Sequence, residues 1–379
     1  MKRFLTITFS CIVSLCYAQG DRLASSAQTS QSKVRIPVIY STDLYHPPQD
    51  PDDHYDLALL ACIEELEVKA LIFDVATSFR KPEEFGKTAL EQMAAITGQA
   101  MPPWKVGLRD SLRSPDDKAL DQPEEYQGGV ALILSTLEQS EEPVVMFLVG
   151  SCRDFAVAFN RDPDLLRKKV KAVYVNAGNG PGGIQNEWNV KLDPNAYAGL
   201  MNSGLPIYWC PCITDYERLC TPEEVVAGKA FCTYYKVANQ AELLAGARAM
   251  VKNYFVYALN RLQDEPVGFL NGEPRPLPEQ GRNMWCTGPF LHAAGRTIQR
   301  TPDNQWIAVP SDMITTTGLA VEVFRFEQVK VTSVWKDENG KRLPEFRDGG
   351  GTSLNVFRYV HTDFNEIMSL VLKGLLERL

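Results

Sequence analysis

From residue 34 the chain alternates short, almost wholly apolar, β-branched runs with segments whose apolar positions recur at helical spacing. The runs are "VRIPVIYS" (34–41), "EVKALIFDVA" (67–76), "WKVGL" (104–108), "PVVMFLVG" (143–150), "KAVYVNAG" (171–178) and "LPIYWCP" (205–211), and helices are predicted near 53–65, 83–97, 123–139, 152–160 and 194–203. A strand with no polar alternation has no face to offer water, so both its faces must be covered. The pattern predicts an α/β protein built on a mostly parallel, Rossmann-like open sheet with helices on both faces. Beyond residue 215 the rhythm loosens. There the sequence predicts a helix over 240–262, a Pro/Gly-rich surface loop over 264–281, a short helix near 289–297, two strands near 319–335, a turn at "KDENGKR", a strand at "LNVFRYV" and a last helix over 364–378. No low-complexity linker divides these parts, so 34–379 is expected to be one domain with C-terminal helical and β elaborations.

The N-terminus follows a different pattern. Lys2 and Arg3 precede the apolar stretch "FLTITFSCIVSLCYA", which is too short and wrongly flanked for a membrane anchor and reads as a signal peptide over 1–18, cleaved after Ala18. Lipid attachment at Cys16 is disfavoured because Leu15 is not small. Residues 19–33 read as a flexible spacer. The expected location is therefore periplasmic or extracellular. Seven of the nine cysteines remain after cleavage, among them Cys210, Cys212, Cys220 and Cys232, for which a disulfide and buried free thiols stay equally open.

Charge narrows the partners. The formal net charge is −8, with no basic block, which excludes nucleic acid and suits a small neutral or cationic ligand or a metal. In an open parallel sheet, ligands bind beyond the carboxyl ends of the strands. The first run ends in "STDLYHPPQDPDDHYDLALL" (41–60), which delivers Asp43 to that edge and opens the next helix at Asp52–Asp53. Carboxylates converging without a base repel one another unless a cation sits among them, and oxygen-only ligands point to Ca²⁺ or Mg²⁺. Asp53 and Asp56 also carry the spacing of a helix cap, and Asp56 is read in that role. Asp193-Pro194 reads as an N-cap followed by proline at the first helical position, and Trp188 as a core residue more than a ligand platform.

An Asp at the first strand end, a Pro/Asp-rich turn and Asp-Asp opening a helix resemble the calcium-binding signature of the inosine/uridine-preferring nucleoside hydrolases. "NAGNGPGGIQNEWNVKLDPNAY" (176–197) is similar to that family's glycine-bearing strand end followed by its Glu-aromatic-Asn triplet. "VVMFLVGSCRDFAVAFNRDP" (144–163) resembles the strand whose terminal carbonyl completes the metal shell. The resemblance implies a calcium-dependent N-glycosyl hydrolase that releases a base from a ribonucleoside. It implies Asp43 as metal ligand and general base, with Asp52, Asp53 and the Val149 carbonyl as further ligands. Glu187, Asn189 and Asn179 would then hold the sugar of a nucleoside or related small molecule, and a homo-oligomer, dimer or tetramer, would be usual.

The chain also departs from the pattern. Eight residues separate Asp43 from Asp52, more than in the family, and the extra ones include His46 and Asp50. The Asn usual after the second strand is absent, with Thr77 or Ser78 nearby. The late His-Asp step is replaced by "MWCTGPFLHAAGR" (284–296), which offers Cys286 and Thr287 and leaves His292 as a packed helix residue. His46, Asp50, His54 and Thr287 are therefore further candidates for the site. A non-catalytic sugar- or nucleoside-binding protein on the same fold is the alternative function.

Overall fold

In the computed structural model, which describes residues 35–75, 85–212, 221–273, 275–314 and 318–379, the apolar runs pair into one ten-stranded sheet. Its first seven strands in chain order are β1 (Ile36–Thr42), β2 (Leu66–Phe73), β3 (Trp104–Val106), β4 (Val144–Leu148), β5 (Val170–Val175), the two-residue β6 (Gly183–Ile184) and β7 (Ile207–Trp209). Across the sheet the order is β3-β2-β1-β4-β5-β7, followed by strands Thr352–Tyr359, Phe324–Glu338, Lys341–Asp348 and then β6. Every pair from β3 to Thr352–Tyr359 is parallel, and the remaining three pairs are antiparallel. This is the mostly parallel α/β architecture that the pattern of the runs predicts.

The reason lies in the alternation of faces. Val38 and Tyr40 of β1 join one buried cluster and Ile39 the other, and Phe147 and Met146 of β4 divide in the same way. β1 and β4 therefore bury both of their side-chain rows. One face is covered by α1 (Asp52–Cys62), α2 (Lys87–Thr97) and the helices Ala249–Leu259, Thr287–Ala293 and Phe364–Leu376. The other is covered by α3 (Gly128–Gln139), α4 (Arg153–Arg161), α5 (Pro163–Lys169), α6 (Trp188–Leu192) and α7 (Pro194–Met201). Contacts gather Arg35–Leu379 into one unit. No described helix is long and apolar enough to cross a membrane. The segments read as leader and spacer, together with Thr77, Ser78 and Cys220, lie outside the described residues.

The C-terminal half corrects several expectations. The helix predicted over 240–262 is broken into Gln240–Leu243 and Ala249–Leu259. Between them Gly246 lies so close to Glu377 that a Cβ would clash with its carboxylate, so a tertiary contact overrides the helical period. The loop predicted over 264–281 contains the helix Pro266–Leu270, started by Glu265, whose carboxylate accepts from Val267 and Gly268 amides, with proline at the first helical position. The short helix ends at Ala293, and the mixed-polarity segment Arg296–Arg300 pairs instead with Trp306–Pro310. The "KDENGKR" turn is the tip of a hairpin in which Asn339 and Gly340 both take positive φ (49° and 76°), the geometry a two-residue turn between twisted strands requires. Cys210 and Cys212 are free thiols, so the disulfide reading does not hold for them.

Candidate functional site

The strand order changes direction at β1: the chain moves from β1 through β2 to β3 on one side, then returns to place β4 on the other. Such a reversal leaves a crevice beyond the carboxyl ends of the two central strands. Asp43 follows β1 directly, Val149 follows β4 and Asn176 follows β5. The adjacency is fixed by the ladder: the Val149 amide donates to Ser41 O (2.9 Å) and the Asn176 amide to Leu148 O (2.9 Å). Gly150 permits the close approach, since a Cβ there would sit 2.5 Å from Asp74 Oδ2 and 3.3 Å from Asp43 Cβ.

A cavity of about 310 Å³ opens on this edge. Its acidic wall is Asp43, Asp50, Asp52, Asp53 and Asp56. Facing residues are Val149, Asn176, Glu187, Trp188 and Asn189, and Tyr45, Gln49, Cys212, Trp285 and Cys286 complete it. Helix α1 places Asp52, Asp53 and Asp56 together because they occupy its first turn and a half, on the end nearest the crevice. Asp53 Oδ1 accepts from Thr42 Oγ1 at 2.5 Å. Asp56 is not a cap: the cap position is Pro51, no side chain caps the helix, and the buried Asp56 Oδ1 has no hydrogen-bond partner.

Glu187 caps the start of α6. Its Oε2 accepts from the Gly178 amide (2.9 Å) and the Val190 amide (3.3 Å), which fixes the carboxylate at the cavity wall. Gly178 allows this with φ of +82°, where a Cβ would also run into Tyr197 and Gln185. Asn189 Nδ2 donates to Val149 O (3.2 Å) and Asn176 O (2.8 Å), tying the ends of β4 and β5 to α6. Asn176 itself is 2% exposed, and neither its Nδ2 nor its Oδ1 has a hydrogen-bond partner. A buried amide left open in a cavity is the mark of a ligand's place.

The electrostatics agree. Burial first, then the neighbouring carboxylates, drive the Asp52 and Asp53 carboxyls well above the ordinary aspartate range, and burial raises Asp56 to about 7. Burial likewise raises Glu187, against the pull of the amides it accepts from. Among the described residues no lysine or arginine lines the cavity, and the nearest relief is the Arg282–Asp50 ion pair at the rim (2.9 Å).

Other expected residues lie elsewhere. Asn179 is exposed, and its amide and Nδ2 are engaged by Gln185 Oε1 and Ile184 O. His46 Nε2 meets Leu262 O (2.6 Å), and burial lowers its pKa. His54 is buried, its ring 5.8 Å from that of Tyr254, and burial depresses its pKa to about 3. Thr287 Oγ1 pairs with Tyr235 OH (2.7 Å). His292 is packed as expected, on Tyr174 OH. Asp193 caps α7 as expected and also pairs with Arg153. Trp188, expected in the core, is 52% exposed at the cavity. Asn176 had a legible signal in its place at a strand end; Trp285 and Gln49 had none, because their approach depends on distant segments.

Residues 58–269 match the family of inosine-uridine preferring nucleoside hydrolases. The chain belongs to that family. Its similarity to curated members extends further: it is 23% identical over 305 residues to the pyrimidine-specific ribonucleoside hydrolase RihA of Klebsiella pneumoniae subsp. pneumoniae, spanning 76% of this chain and 88% of the relative. With RihA of Citrobacter koseri it shares 26% identity over 310 residues, 77% and 90% of the two chains. Among solved structures, a plant nucleoside hydrolase superposes with a TM-score of 0.53 at 17% identity, over 90% of this chain and 99% of that one, which establishes the shared fold. These relatives are ribonucleoside hydrolases, that is N-glycosyl hydrolases, the enzyme class the resemblance implied. The matched span begins at Ala58 and so leaves out Asp43, Asp52, Asp53 and Asp56, while it includes Val149, Glu187 and Asn189.

The expected cofactor can be tested against this geometry. Among the described residues no three His, Cys, Asp or Glu side chains are grouped closely enough to hold an ion, so Asp43, Asp52, Asp53 and the Val149 carbonyl share a cavity without forming a closed shell. The donor chemistry nonetheless fits a hard divalent cation: oxygen donors, mutually repelling carboxylates and no base to offset them. The Val149 carbonyl, though it accepts from Asn189, keeps a second lone pair.

Proposed function

We propose that the protein hydrolyses the N-glycosidic bond of ribonucleosides in the cavity beyond β1 and β4, with Ca²⁺ held by Asp43, Asp52, Asp53 and the Val149 carbonyl. The observation that carries this reading is the opening of five aspartates and the unpartnered Asn176 onto one cavity at the switch point of the sheet. Calcium bound there would fix sugar hydroxyls and lower the pKa of a water.

The chain's own groups supply the rest. Breaking the bond from C1′ to the base builds positive charge on the ribose ring, and the acidic wall favours that charge over the neutral ground state. Asp43 takes the proton of the attacking water. Glu187, held by two backbone amides, accepts from a sugar hydroxyl. Asn176 and the Asn189 carbonyl oxygen set the ring against the wall, and Trp188 offers an aromatic face to the base. The leader over residues 1–18 directs export in this proposal.

A reducing-sugar assay on a nucleoside panel tests the function, run with and without chelator and beside Asp43→Ala. Sugar release that neither treatment lowers would refute the metal mechanism. Binding of nucleosides without any release would favour the capture function instead.

A further inference from the structure

Resting on that hydrolase reading, we infer that Asp56 is a further ligand of the cation, joining Asp43, Asp52, Asp53 and the Val149 carbonyl. Its place, its open oxygen and its lack of a role in the fold point there.

Asp56 lies four residues after Asp52 and three after Asp53, so the three acids share one side of α1. It opens onto the same cavity as Asp43 and Val149. A calcium ion takes about six to eight oxygens, more than three carboxylates and one carbonyl supply through single oxygens.

The Asp56 side chain is also open to such a bond. It is 2% exposed, yet its Oδ1 has no hydrogen-bond partner. Other acids of the cavity are already engaged: Asp53 Oδ1 accepts from Thr42 Oγ1, Asp50 pairs with Arg282, and Glu187 accepts from two amides. The buried side chain of Asn176, likewise without a partner, marks the same cavity independently as a ligand's place.

The fold makes no use of the carboxylate. The cap position of α1 is Pro51, and on either side of Asp56 the helix buries Tyr55 and Leu57. An acid buried in such company lowers stability unless something binds it. The Cys286 thiol is within hydrogen-bonding reach of the carboxyl, but a thiol is a weak donor and carries no positive charge to offset a carboxylate. A cation meets that need.

The test measures calcium binding, not turnover. The full chain, freed of metal by chelator, is titrated with Ca²⁺ in a calorimeter. Asp56→Asn should weaken binding by about tenfold or more, and Asp50→Asn, at the rim, by less than about threefold. Tb³⁺ in place of Ca²⁺ reads the shell directly: luminescence decay in light and heavy water counts the bound waters, and Asp56→Ala should admit about one more. Metal-free Asp56→Asn should melt no lower than the native chain. Unchanged calcium affinity in Asp56→Asn, or an unchanged water count in Asp56→Ala, overturns the inference and leaves the hydrolase reading with its other ligands standing. An Asp56→Asn chain that does not fold without calcium also overturns it, because the carboxyl would then belong to the fold. A native chain that releases sugar but binds no calcium overturns the inference and the metal mechanism together, and one that does neither overturns the hydrolase reading as well.

Discussion

Arg153 and the acidic wall of the cavity are both buried charge at the same end of one sheet, yet they are completed differently. The Arg153 guanidinium, fully buried, pairs with Asp193 at 2.8 Å and donates to Leu108 O, Arg109 O, Leu192 O and Ser111 Oγ. Asp193 in turn accepts from the Leu112 and Ala196 amides. Every donor and charge there has its partner within the chain, which holds the 108–112 segment against the start of α7. In the cavity Asp56 Oδ1 and the Asn176 side chain have no hydrogen-bond partner, and burial among other carboxylates raises the pKa of Asp52, Asp53 and Asp56. A charge that builds the fold is satisfied by the fold. One that awaits a ligand is left for the ligand to satisfy.

Substitutions on the two sides should fail differently. Asp43→Ala should lower kcat/KM on a nucleoside by about 10⁴-fold, the upper range for a lost general base, with little change in the melting temperature by circular dichroism. Arg153→Met should do the reverse: a loss of about 3–5 kcal/mol in urea unfolding, from Asp193 left buried without its counter-charge, with kcat per folded molecule nearly kept. If Asp43→Ala instead unfolds the protein, the acidic wall is structural and the contrast fails.

Calcium should sharpen the contrast further. Added to chelator-treated protein at a hundred times its Kd, it should stabilise by about 2.7 kcal/mol, read as a rise in melting temperature, and the rise should vanish in an Asp52→Asn, Asp53→Asn double variant. The smallest effect is on pH. Asp56, at about 7 in the fold, lies above the ordinary aspartate value of the unfolded chain, so its contribution to stability is full below about pH 4 and is lost as pH rises through 7. Metal-free protein should therefore melt lower at pH 8 than at pH 5, and calcium should flatten that slope. Asp154, raised by burial to about 7 beside Arg153, gives a slope of the same sign that calcium leaves in place and Asp154→Asn removes.

Much of this was legible along the chain. Six apolar runs without polar alternation gave the parallel strands to within a few residues, and the strand-end rule brought Asp43 and Asn176 to one edge before any coordinates, while Val149, Glu187 and Asn189 came from the family resemblance. What was not legible has a common cause. The helix break at 244–248 depends on Glu377, more than a hundred residues away, and the exposed position of Trp188 depends on Glu187 capping a five-residue helix.

The sequence by itself determined the sheet, its two covered faces and the delivery of an acidic turn to its ligand-binding edge, because hydrophobic period and strand-end placement are local properties. Only the tertiary structure decided which acids share a cavity, that Asp56 faces it instead of capping α1, that no histidine reaches it, and that Arg282, from far along the chain, meets Asp50. Those outcomes rest on distances between segments remote in sequence, and electrostatic and hydrogen-bond energies depend on such distances, which no periodicity encodes.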